Sequence, residues 1–256
     1  MGFNISSAAE RGQEHAKQLA LLIMLESKVK SKIFNALMEI TKLVAEDQFY
    51  QVGMLRTDLI IGNLFRFDKI LRQHYNAAVY AFAINNLRSL NKKARYKLPS
   101  RFDMRTSEFV QTQALEQAQL IGATTQEDLR GIIDSGITDG LGAAEIAKNI
   151  REQGEVYARA RSETIAITET HNAAMFGNYF SAKDLSEEYD LKTKKEWIAT
   201  FDARTRETHV EANGQIVDMD EAFIVGGERM MYPGDPAASA ENVIRCRCVL
   251  AYTTQD

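Results

Sequence analysis

Residues 195–209 read Lys-Glu-Trp-Ile-Ala-Thr-Phe-Asp-Ala-Arg-Thr-Arg-Glu-Thr-His, and Cys246-Arg247-Cys248 follows close to the end of the chain. This last quarter holds the only tryptophan and both cysteines. Short apolar segments at 196–201, 223–225, 230–232 and 243–252 are separated by turn sequences at 213–214, 226–227 and 233–234. Short apolar segments bounded by Gly, Asn and Pro are typical of strands joined by turns. The stretch therefore predicts a compact module of three or four short strands.

Upstream of this module the sequence has the periodicity of long amphipathic helices. Apolar residues recur at steps of three and four from Leu19 to Leu43, which predicts a helix over 8–52. A second long helix is predicted over 54–98, ended by Leu98-Pro99-Ser100. The stripe from Leu19 to Leu43 is longer than one helical partner needs to cover. Self-association or docking of another protein is therefore expected there.

Shorter helices are predicted in the middle of the chain. A helix over 107–120 should end at Gly122, because the Thr124-Thr125-Gln126-Glu127 sequence matches a capping box that starts a new helix. The Asp139-Gly140-Leu141-Gly142 sequence predicts a turn, and helices over 143–153 and 155–180 should follow, separated at Gly154. A loop is expected over 181–195.

These patterns together indicate an α+β protein. Long helices occupy the N-terminal two thirds, and a small β-rich C-terminal module packs on a helix. We predict a long-helix region over 1–105, a short-helix connector over 106–154 and the module over 155–256.

Composition excludes several classes of protein. Of 256 residues, 45% are hydrophobic and 26% are charged, which is ordinary for a globular protein. The longest apolar run, Leu19 to Leu25, is too short to span a bilayer and lies between Lys17 and Glu26. No secretory signal is expected, because acidic residues precede this run and no cleavage site follows it. We therefore expect the protein inside a cell or in a particle made there.

Charge is distributed unevenly along the chain. Residues 1–105 contain 17 basic and 9 acidic residues, a net charge of +8, whereas residues 106–256 contain 14 and 26, a net charge of −12. One window is strongly basic and predicts contact with DNA phosphates, or alternatively a solvated helix end. It comprises Arg88, Lys92, Lys93, Arg95, Lys97, Arg101 and Arg105.

One combination of residues is specific enough to indicate a family. It consists of Arg161, Glu169 and Asn172 on a predicted helix, then Trp197, Asp202, Arg204, Arg206 and His209, and finally Gly214, Phe223, Pro233, Cys246, Arg247 and Cys248. With these motif residues, the segment 159–250 resembles the phage Mu F-like minor head proteins, also called phage head morphogenesis proteins.

The resemblance implies a structural component of a tailed-phage head. Such a protein would bind at or near the portal, act in head assembly, and enter the particle with the DNA, after a period in the host cytoplasm. The implied partners are the portal protein, packaged double-stranded DNA and a second copy of the chain. Some members of the family are fused to ADP-ribosyltransferase toxins. This chain ends eight residues after Cys248, so we expect no such domain and no enzymatic activity.

The motif residues themselves have a structural interpretation. Asp202 precedes Arg204 and Arg206 in the sequence, and charge-assisted hydrogen bonds to these arginines would fix the turn after the Trp197 strand. Glu169 or Asp202 is also expected to receive a guanidinium from Arg245 or Arg247. A small β-rich module with little core of its own needs such contacts.

Two chemical alternatives involve the cysteines. His209, Cys246 and Cys248 are residue types that bind zinc, with His171 or Asp202 as the fourth ligand. Cys-x-Cys is, however, tighter than the usual Cys-x2-Cys spacing, and small buried side chains are the simpler interpretation of both cysteines. We therefore predict no cofactor and no catalytic residue. The alternative is a metal- or thiol-dependent hydrolase that uses His209 with Cys246 or Cys248.

Overall fold

Four long helices form the N-terminal part of the chain in the computed structural model, which describes residues 8–47, 55, 57–90 and 96–255. They are α1 (Ala8–Glu46), α2 (Thr57–Leu90), α3 (Ser100–Thr138) and α4 (Ala143–Glu188). The two long helices predicted from periodicity are α1 and α2. The predicted turn before α4 is also present, since Asp139 N–H donates to Ser135 O at 2.9 Å and Gly140 has φ +70°.

The predicted break at Gly122 is wrong, because α3 continues through it to Thr138. The capping-box threonines do not cap a new helix. Their hydroxyl groups donate to the carbonyls one turn earlier, Thr124 to Leu120 O at 2.9 Å and Thr125 to Ile121 O at 2.6 Å. The buried stripe of Ile121, Thr125 and Leu129 keeps its four-residue spacing across the glycine. Burial of this stripe therefore outweighs the low helix propensity of Gly122.

The predicted break at Gly154 and the predicted loop over 181–195 are also wrong. Helix α4 runs uninterrupted for 46 residues. Gly154 packs directly against the Thr41 side chain, and Ala182 and Leu185 extend the buried face of α4 into the segment expected to be a loop. Only residues 189–191 separate α4 from the first strand. The mixed charge near the end of α4 resembled a loop, because the sequence does not distinguish exposed charges such as Glu187 and Glu188 from the buried Asp184.

Most of the apolar stripe of α1 is buried within the chain. Leu22, Val29, Ile33 and Ile40 are each at most 2% exposed. The large apolar side chains that α1 leaves exposed, among its described residues, are Ile23, Met24 and Leu43. Within the described residues, no helix has the combination of length and hydropathy needed to cross a membrane.

The described residues form two compact units. One contains residues from Met1–Glu26, His74–Glu108 and Ile167–Asp256, and the other contains Ser27–Gln73 and Phe109–Ala166. Each long helix contributes residues to both units. The boundaries predicted after residues 105 and 154 fall inside α3 and α4. The three-region division remains a prediction about how fragments of the chain would fold.

The C-terminal part of the first unit is the small β-rich module, which confirms the α+β class. Its elements are β1 (Lys192–Ile198), α5 (Glu207–Ala212), β2 (Ile216–Asp218), β3 (Phe223–Val225), β4 (Glu228–Met230), α6 (Ala240–Val243) and β5 (Val249–Gln255). Strand β1 is central in an antiparallel sheet of order β2-β1-β5, and Trp197 is opposite Leu250. Strands β3 and β4 form the predicted hairpin around Gly226-Gly227. The predicted turn at Asn213-Gly214 instead connects α5 to β2.

Candidate functional site

A cleft of about 290 Å³ lies in the C-terminal module, between residues 200–209 and residues 244–248. Seven of the motif residues line it, namely Asp202, Arg204, Arg206, His209, Cys246, Arg247 and Cys248. The first segment follows β1 and enters α5, and the second connects α6 to β5. The fold therefore brings together two parts of the motif that lie about forty residues apart in sequence.

Three potential metal-ligand atoms converge in this cleft. The atoms are His209 Nδ1, Cys246 Sγ and Cys248 Sγ, and all lie within 4.8 Å of one another. His209 Nδ1 is 3.3 Å from Cys248 Sγ and 3.7 Å from Cys246 Sγ. All three residues are buried, and both cysteines are free thiols. The proposed fourth ligands, His171 and Asp202, are not part of this cluster.

The His209 ring is held on both sides. Its Nε2 lies 3.3 Å from Asn242 Oδ1, and Asn242 is on α6. An amide oxygen only accepts hydrogen bonds, so Nε2 carries the proton and Nδ1 presents its lone pair to the two sulfurs. The edge of the ring packs against Trp197, with a centroid distance of 5.7 Å. No pattern in the sequence marks Asn242, which occurs in an ordinary polar segment.

Side chains on α4 and just after β1 bind the backbone of the Cys-Arg-Cys segment. His171 Nε2 donates to Cys248 O at 2.7 Å, and Thr200 Oγ1 donates to Arg247 O at 2.6 Å. The Arg245 N–H donates to Thr168 Oγ1 at 3.1 Å, and Arg245 has φ +57°. This positive φ turns the chain just before Cys246. Thr168 and Thr200 were missed from the sequence, because a threonine on a helix or at a strand end has no pattern of its own.

The two cysteines differ in their affinity for protons. Burial opposes ionisation of Cys246, yet the hydrogen bond from Cys248 and the charge of the neighbouring His171 lower its pKa well below the usual value. The hydrogen bond to Cys246, together with burial, raises the pKa of Cys248 well above its usual value. The pair therefore holds one negative charge more readily than two, with the charge on Cys246.

A second group of motif residues on α4 holds the Pro233-Gly234 turn. The Asn172 amide group, oriented to donate, reaches the carbonyls of Gly234 and Thr168 at 3.1 Å. Gly234 has φ +76°, and a Cβ atom there would lie 2.5 Å from His171 Nδ1. Glycine is required for both reasons, since other residues rarely adopt this φ and the His171 ring fills the space. The predicted turn is confirmed.

Glu169 is buried against α2 rather than paired with an arginine. Tyr75 Oη donates a hydrogen bond to Glu169 Oε2, and both side chains are nearly inaccessible. Burial raises the pKa of Glu169 to about 7, although the Tyr75 hydrogen bond acts in the opposite direction. Glu169 therefore does not pair with Arg245 or Arg247 as expected. It forms a buried pair with Tyr75 that is neutral or carries a single negative charge.

This buried carboxyl should make stability depend on pH. The folded chain binds the Glu169 proton more tightly than the unfolded chain, whose reference pKa is 4.5. The stabilisation is complete below about pH 4.5 and is lost as pH rises through about 7, a loss of about 2–3 kcal/mol. The Glu169→Gln variant should not show this loss, so wild type and variant should diverge between these pH values in denaturant unfolding. Glu152→Gln, at an exposed position on α4, is the control, and parallel profiles for wild type and Glu169→Gln would contradict the assignment.

Asp202 fixes a turn, but not in the way predicted from sequence. Its Oδ1 accepts from Arg204 N–H at 2.8 Å and its Oδ2 accepts from Arg204 Nη2 at 3.0 Å. Arg206 turns away and donates to Ile244 O instead. The backbone hydrogen bond from Arg204 is the main cause of a lowered pKa for Asp202, whose side chain is exposed. The carboxylate therefore caps one turn and is not clamped between two arginines.

Loss of this cap should be mildly destabilising. Asp202→Ala is expected to lower the free energy of unfolding by about 1 kcal/mol, because an exposed charge-assisted hydrogen bond contributes little more. Asp202→Asn should retain most of the stability, since its amide oxygen also accepts from Arg204 N–H. Equal losses for the two variants in thermal unfolding would mean that the charge, not the turn, is what matters.

The remaining arginines of the motif, Arg247 and Arg161, also bind other side chains within the protein. Arg247 forms a two-pronged ion pair with Glu26 of α1, in which Nη2 lies 3.0 Å from Oε2. Arg161 belongs to the second unit, where it contacts Asp128 and Thr125 of α3 at 3.0 and 2.8 Å. Arg161 is therefore not part of the cleft, although it lies on the same helix as Glu169.

The basic window is only partly available for DNA. Arg88 and Lys97 are exposed, whereas Lys92, Lys93 and Arg95 lie outside the described residues. Arg101 and Arg105 each place a guanidinium nitrogen 3.4 Å from Oδ1 of Asp184, which is fully buried. Burial raises the pKa of Asp184, and the two arginines oppose that shift. These two arginines have a structural role that the sequence could not reveal.

Lys195 is another buried residue that the sequence analysis missed. It is fully buried in β1, its Nζ donates to Met231 O at 2.8 Å, and the ammonium lies 4.6 Å from the centre of the Tyr179 ring. Burial lowers its pKa to about 8. A lysine in a charged stretch is normally exposed, so only the fold reveals this contact.

The segment that contains this cleft is similar in sequence to a known protein family. Residues 127–251 match the sequence model of a family described as Phage Mu protein F like protein. The resemblance predicted from the motif residues is thereby confirmed over this segment. No solved structure gives a significant match to the chain.

Three curated relatives share part of the chain. The minor head protein GP7 of Bacillus phage SPP1 is 31% identical over 122 residues, which is 47% of this chain and 38% of GP7. The NAD(+)–arginine ADP-ribosyltransferase EFV of Enterococcus faecalis is 36% identical over 119 residues, 45% of this chain and 23% of the relative. The uncharacterized protein YqbB of Bacillus subtilis is 25% identical over 154 residues, 57% of this chain and 48% of YqbB. The chain spans less than half the length of each relative.

Proposed function

We propose, from the premise that residues 127–251 form a phage Mu F-like segment, that this chain is a minor head protein of a tailed phage or prophage. The observation that carries the proposal is the family match together with the similarity to a protein named minor head protein. The protein acts in head morphogenesis and belongs to the virion. Before assembly it resides in the host cytoplasm.

The geometry of the motif residues supports a structural role. His171, Asn172 and Glu169 of α4 bind backbone groups or a buried tyrosine, and Arg247 binds Glu26. A side chain whose polar atoms are already used inside the protein is not available for a substrate. The motif therefore joins the β-rich module to helices of the same unit.

An enzymatic role has less support. The match to the ADP-ribosyltransferase leaves more than three quarters of that enzyme's length uncovered, so the shared part does not by itself carry a transferase activity. A thiol-dependent hydrolase needs a sulfur that a substrate can reach. Cys246 and Cys248 are 1% and 2% exposed. We therefore propose that the protein is not an enzyme.

The portal is the proposed assembly partner, and α1 is the proposed contact. The exposed side chains of Ile23 and Met24 are adjacent apolar groups on a helix whose other apolar residues are largely buried. Such exposed apolar pairs serve as anchors in helix-mediated contacts.

Co-expression with the portal protein of the same genome, followed by size-exclusion chromatography, tests this contact. Wild type and a Gln13→Asp control should elute with the portal, and a variant carrying Ile23→Asp and Met24→Asp should not. Elution of that variant with the portal would place the contact elsewhere on the chain. Separate elution of folded wild type at every salt concentration would contradict portal binding.

The basic window is the proposed DNA contact, and Arg88 and Lys97 are its residues that the structure describes as exposed. Changing Lys92, Lys93, Arg95 and Lys97 to glutamate should abolish sequence-independent binding to double-stranded DNA in a gel-shift titration. Wild-type affinity should fall by about a hundredfold between 50 and 200 mM salt, since four phosphate contacts release about four counterions. Lys148 and Arg151, at the start of α4, provide a control for added negative charge when both are changed to glutamate. Failure of the wild type to bind at low salt would assign the window to a protein contact or to solvent.

A further inference from the structure

We propose that His209, Cys246 and Cys248 bind a zinc ion that joins α5 to the segment before β5. The sequence favoured no metal, because Cys-x-Cys is a tight spacing and two cysteines with one histidine make an incomplete ligand set. The structure changes this balance through three observations on the cleft, which concern ligand spacing, ring orientation and support of the ligands.

The spacing of the three atoms fits one tetrahedral ion. Zinc bonds of about 2.3 Å to sulfur and about 2.0–2.1 Å to nitrogen place neighbouring ligand atoms about 3.5–3.8 Å apart. His209 Nδ1 is 3.3 Å from Cys248 Sγ and 3.7 Å from Cys246 Sγ, and no pair of the three atoms is more than 4.8 Å apart. Small side-chain rotations are enough to enclose an ion, and no backbone movement is needed.

The orientation of the His209 ring is that of a metal ligand. Its Nε2 faces Asn242 Oδ1, which requires the proton on Nε2 and leaves the lone pair of Nδ1 facing both sulfurs. Histidine ligands typically donate their second ring N–H to an oxygen acceptor, which fixes both the tautomer and the ring angle. Asn242 supplies that acceptor.

Hydrogen bonds to the backbone of the Cys-Arg-Cys segment hold the two cysteines in place without a bound ion. Cys248 O accepts from His171 Nε2, and Arg247 O accepts from Thr200 Oγ1. His171 Nε2 is bonded to Cys248 O, Asp202 is exposed and bonded to Arg204, and neither residue belongs to the cluster of three ligand atoms. The fourth coordination position therefore faces the cleft, where a water molecule can fill it.

A zinc ion that is nearly buried in this way would have a structural role. The three ligand side chains are at most 2% exposed, and α5 is only six residues long. A short helix makes few stabilising contacts of its own, so a bond from His209 to the Cys-Arg-Cys segment would fix it. Because the ion binds the folded chain and not the unfolded one, it raises stability.

The metal content of the full chain tests the proposal. Protein expressed with added zinc, purified without a histidine tag or chelator, should contain one zinc per chain by inductively coupled plasma mass spectrometry. His209→Ala and Cys248→Ser should each lower this content at least about tenfold, because removing a ligand disrupts the site. His74→Gln, a histidine change on α2 outside the cluster, should keep the full content. Equal zinc content in His74→Gln and His209→Ala would overturn the assignment.

Cobalt binding to the wild type keeps the test decisive if the variants fail to fold. Trp197 is the only tryptophan, and its ring lies 5.7 Å from that of His209. Co²⁺ added to the zinc-free chain should quench its fluorescence and reach saturation at one equivalent, with a thiolate-to-cobalt charge-transfer band appearing in parallel. A folded wild-type chain that takes up neither zinc nor cobalt, with no quenching and no such band, would refute the site.

Discussion

Trp197→Ala should lower the free energy of unfolding by about 4 kcal/mol, which is the range for removing a large aromatic side chain from a core. Trp197 is fully buried in the central strand β1. Its ring packs edge-on against Phe223 at 5.4 Å and against His209 at 5.7 Å. Strands β2, β3 and β4 have three residues each, so they offer few side chains that could repack around the missing ring. Neighbouring residues therefore cannot fill the cavity that the substitution leaves.

The control for this prediction is Phe201→Ala. Phe201 follows β1 and is 69% exposed, so its loss should change the free energy of unfolding by less than about 0.5 kcal/mol. Denaturant unfolding followed by circular dichroism measures both variants. Similar small losses for the two variants would mean that the β-rich module does not unfold together with the helices.

Gly177→Ala should destabilise the protein by about 3–4 kcal/mol, at the upper end for an overpacked site. Gly177 lies on α4 at its closest approach to α2. A Cβ atom there would be 2.3 Å from Val79 O and 2.7 Å from Val79 Cα. These are backbone atoms, so no side chain can rotate away and the helices must separate. Separation would also break the hydrogen bonds of Asn86 Nδ2 to Asn178 O and Oδ1, at 2.6 and 2.8 Å.

Gly131→Ala is the matched control on α3. A Cβ atom at Gly131 would meet no atom within 4 Å. Alanine should therefore stabilise the helix by about 0.5–1 kcal/mol, since it loses less conformational freedom than glycine on folding. The two substitutions should thus shift the melting temperature in opposite directions. A shift in the same direction for both would contradict the described contact between α2 and α4.

Periodicity predicted the helices well, but not their boundaries. The apolar spacing of α1 and α2 is regular, and burial of that face stabilises both helices. Gly122 and Gly154 were interpreted as helix ends because glycine has a low helix propensity. Tertiary packing overrides that propensity where the buried face continues on both sides of the glycine, as it does at Ile121 and Leu129. No local pattern reports this packing.

The sequence predicted which residues form the candidate site, but it did not predict how they are arranged. The motif residues named Asp202, His209, Cys246 and Cys248, and the fold brings all four to one cleft. Their partners could not be predicted. Asn242, Thr168 and Thr200 act through single hydrogen bonds, and a single polar residue leaves no periodic signal. The predicted pairing of Asp202 with Arg204 is present. The expected partner of Arg247 was wrong for a related reason, since Glu26 lies more than two hundred residues from Arg247.

The zinc proposal and the head-protein proposal can fail independently. Loss of zinc would weaken the contact between α5 and the Cys-Arg-Cys segment, whereas assembly depends on surfaces of the helices and the module. A zinc-free chain that still enters heads would refute only the metal site. A zinc-bound chain that never enters heads would refute only the function.

Quantitative mass spectrometry of purified, DNA-filled heads is the most direct test of the central claim. The heads should come from the phage or prophage whose genome encodes the chain. Peptides of this chain should be present after protease treatment of intact particles, at a small fraction of the amount of the major capsid protein. Absence from the particles, with the chain abundant in the same lysate, would contradict its assignment as a minor head protein.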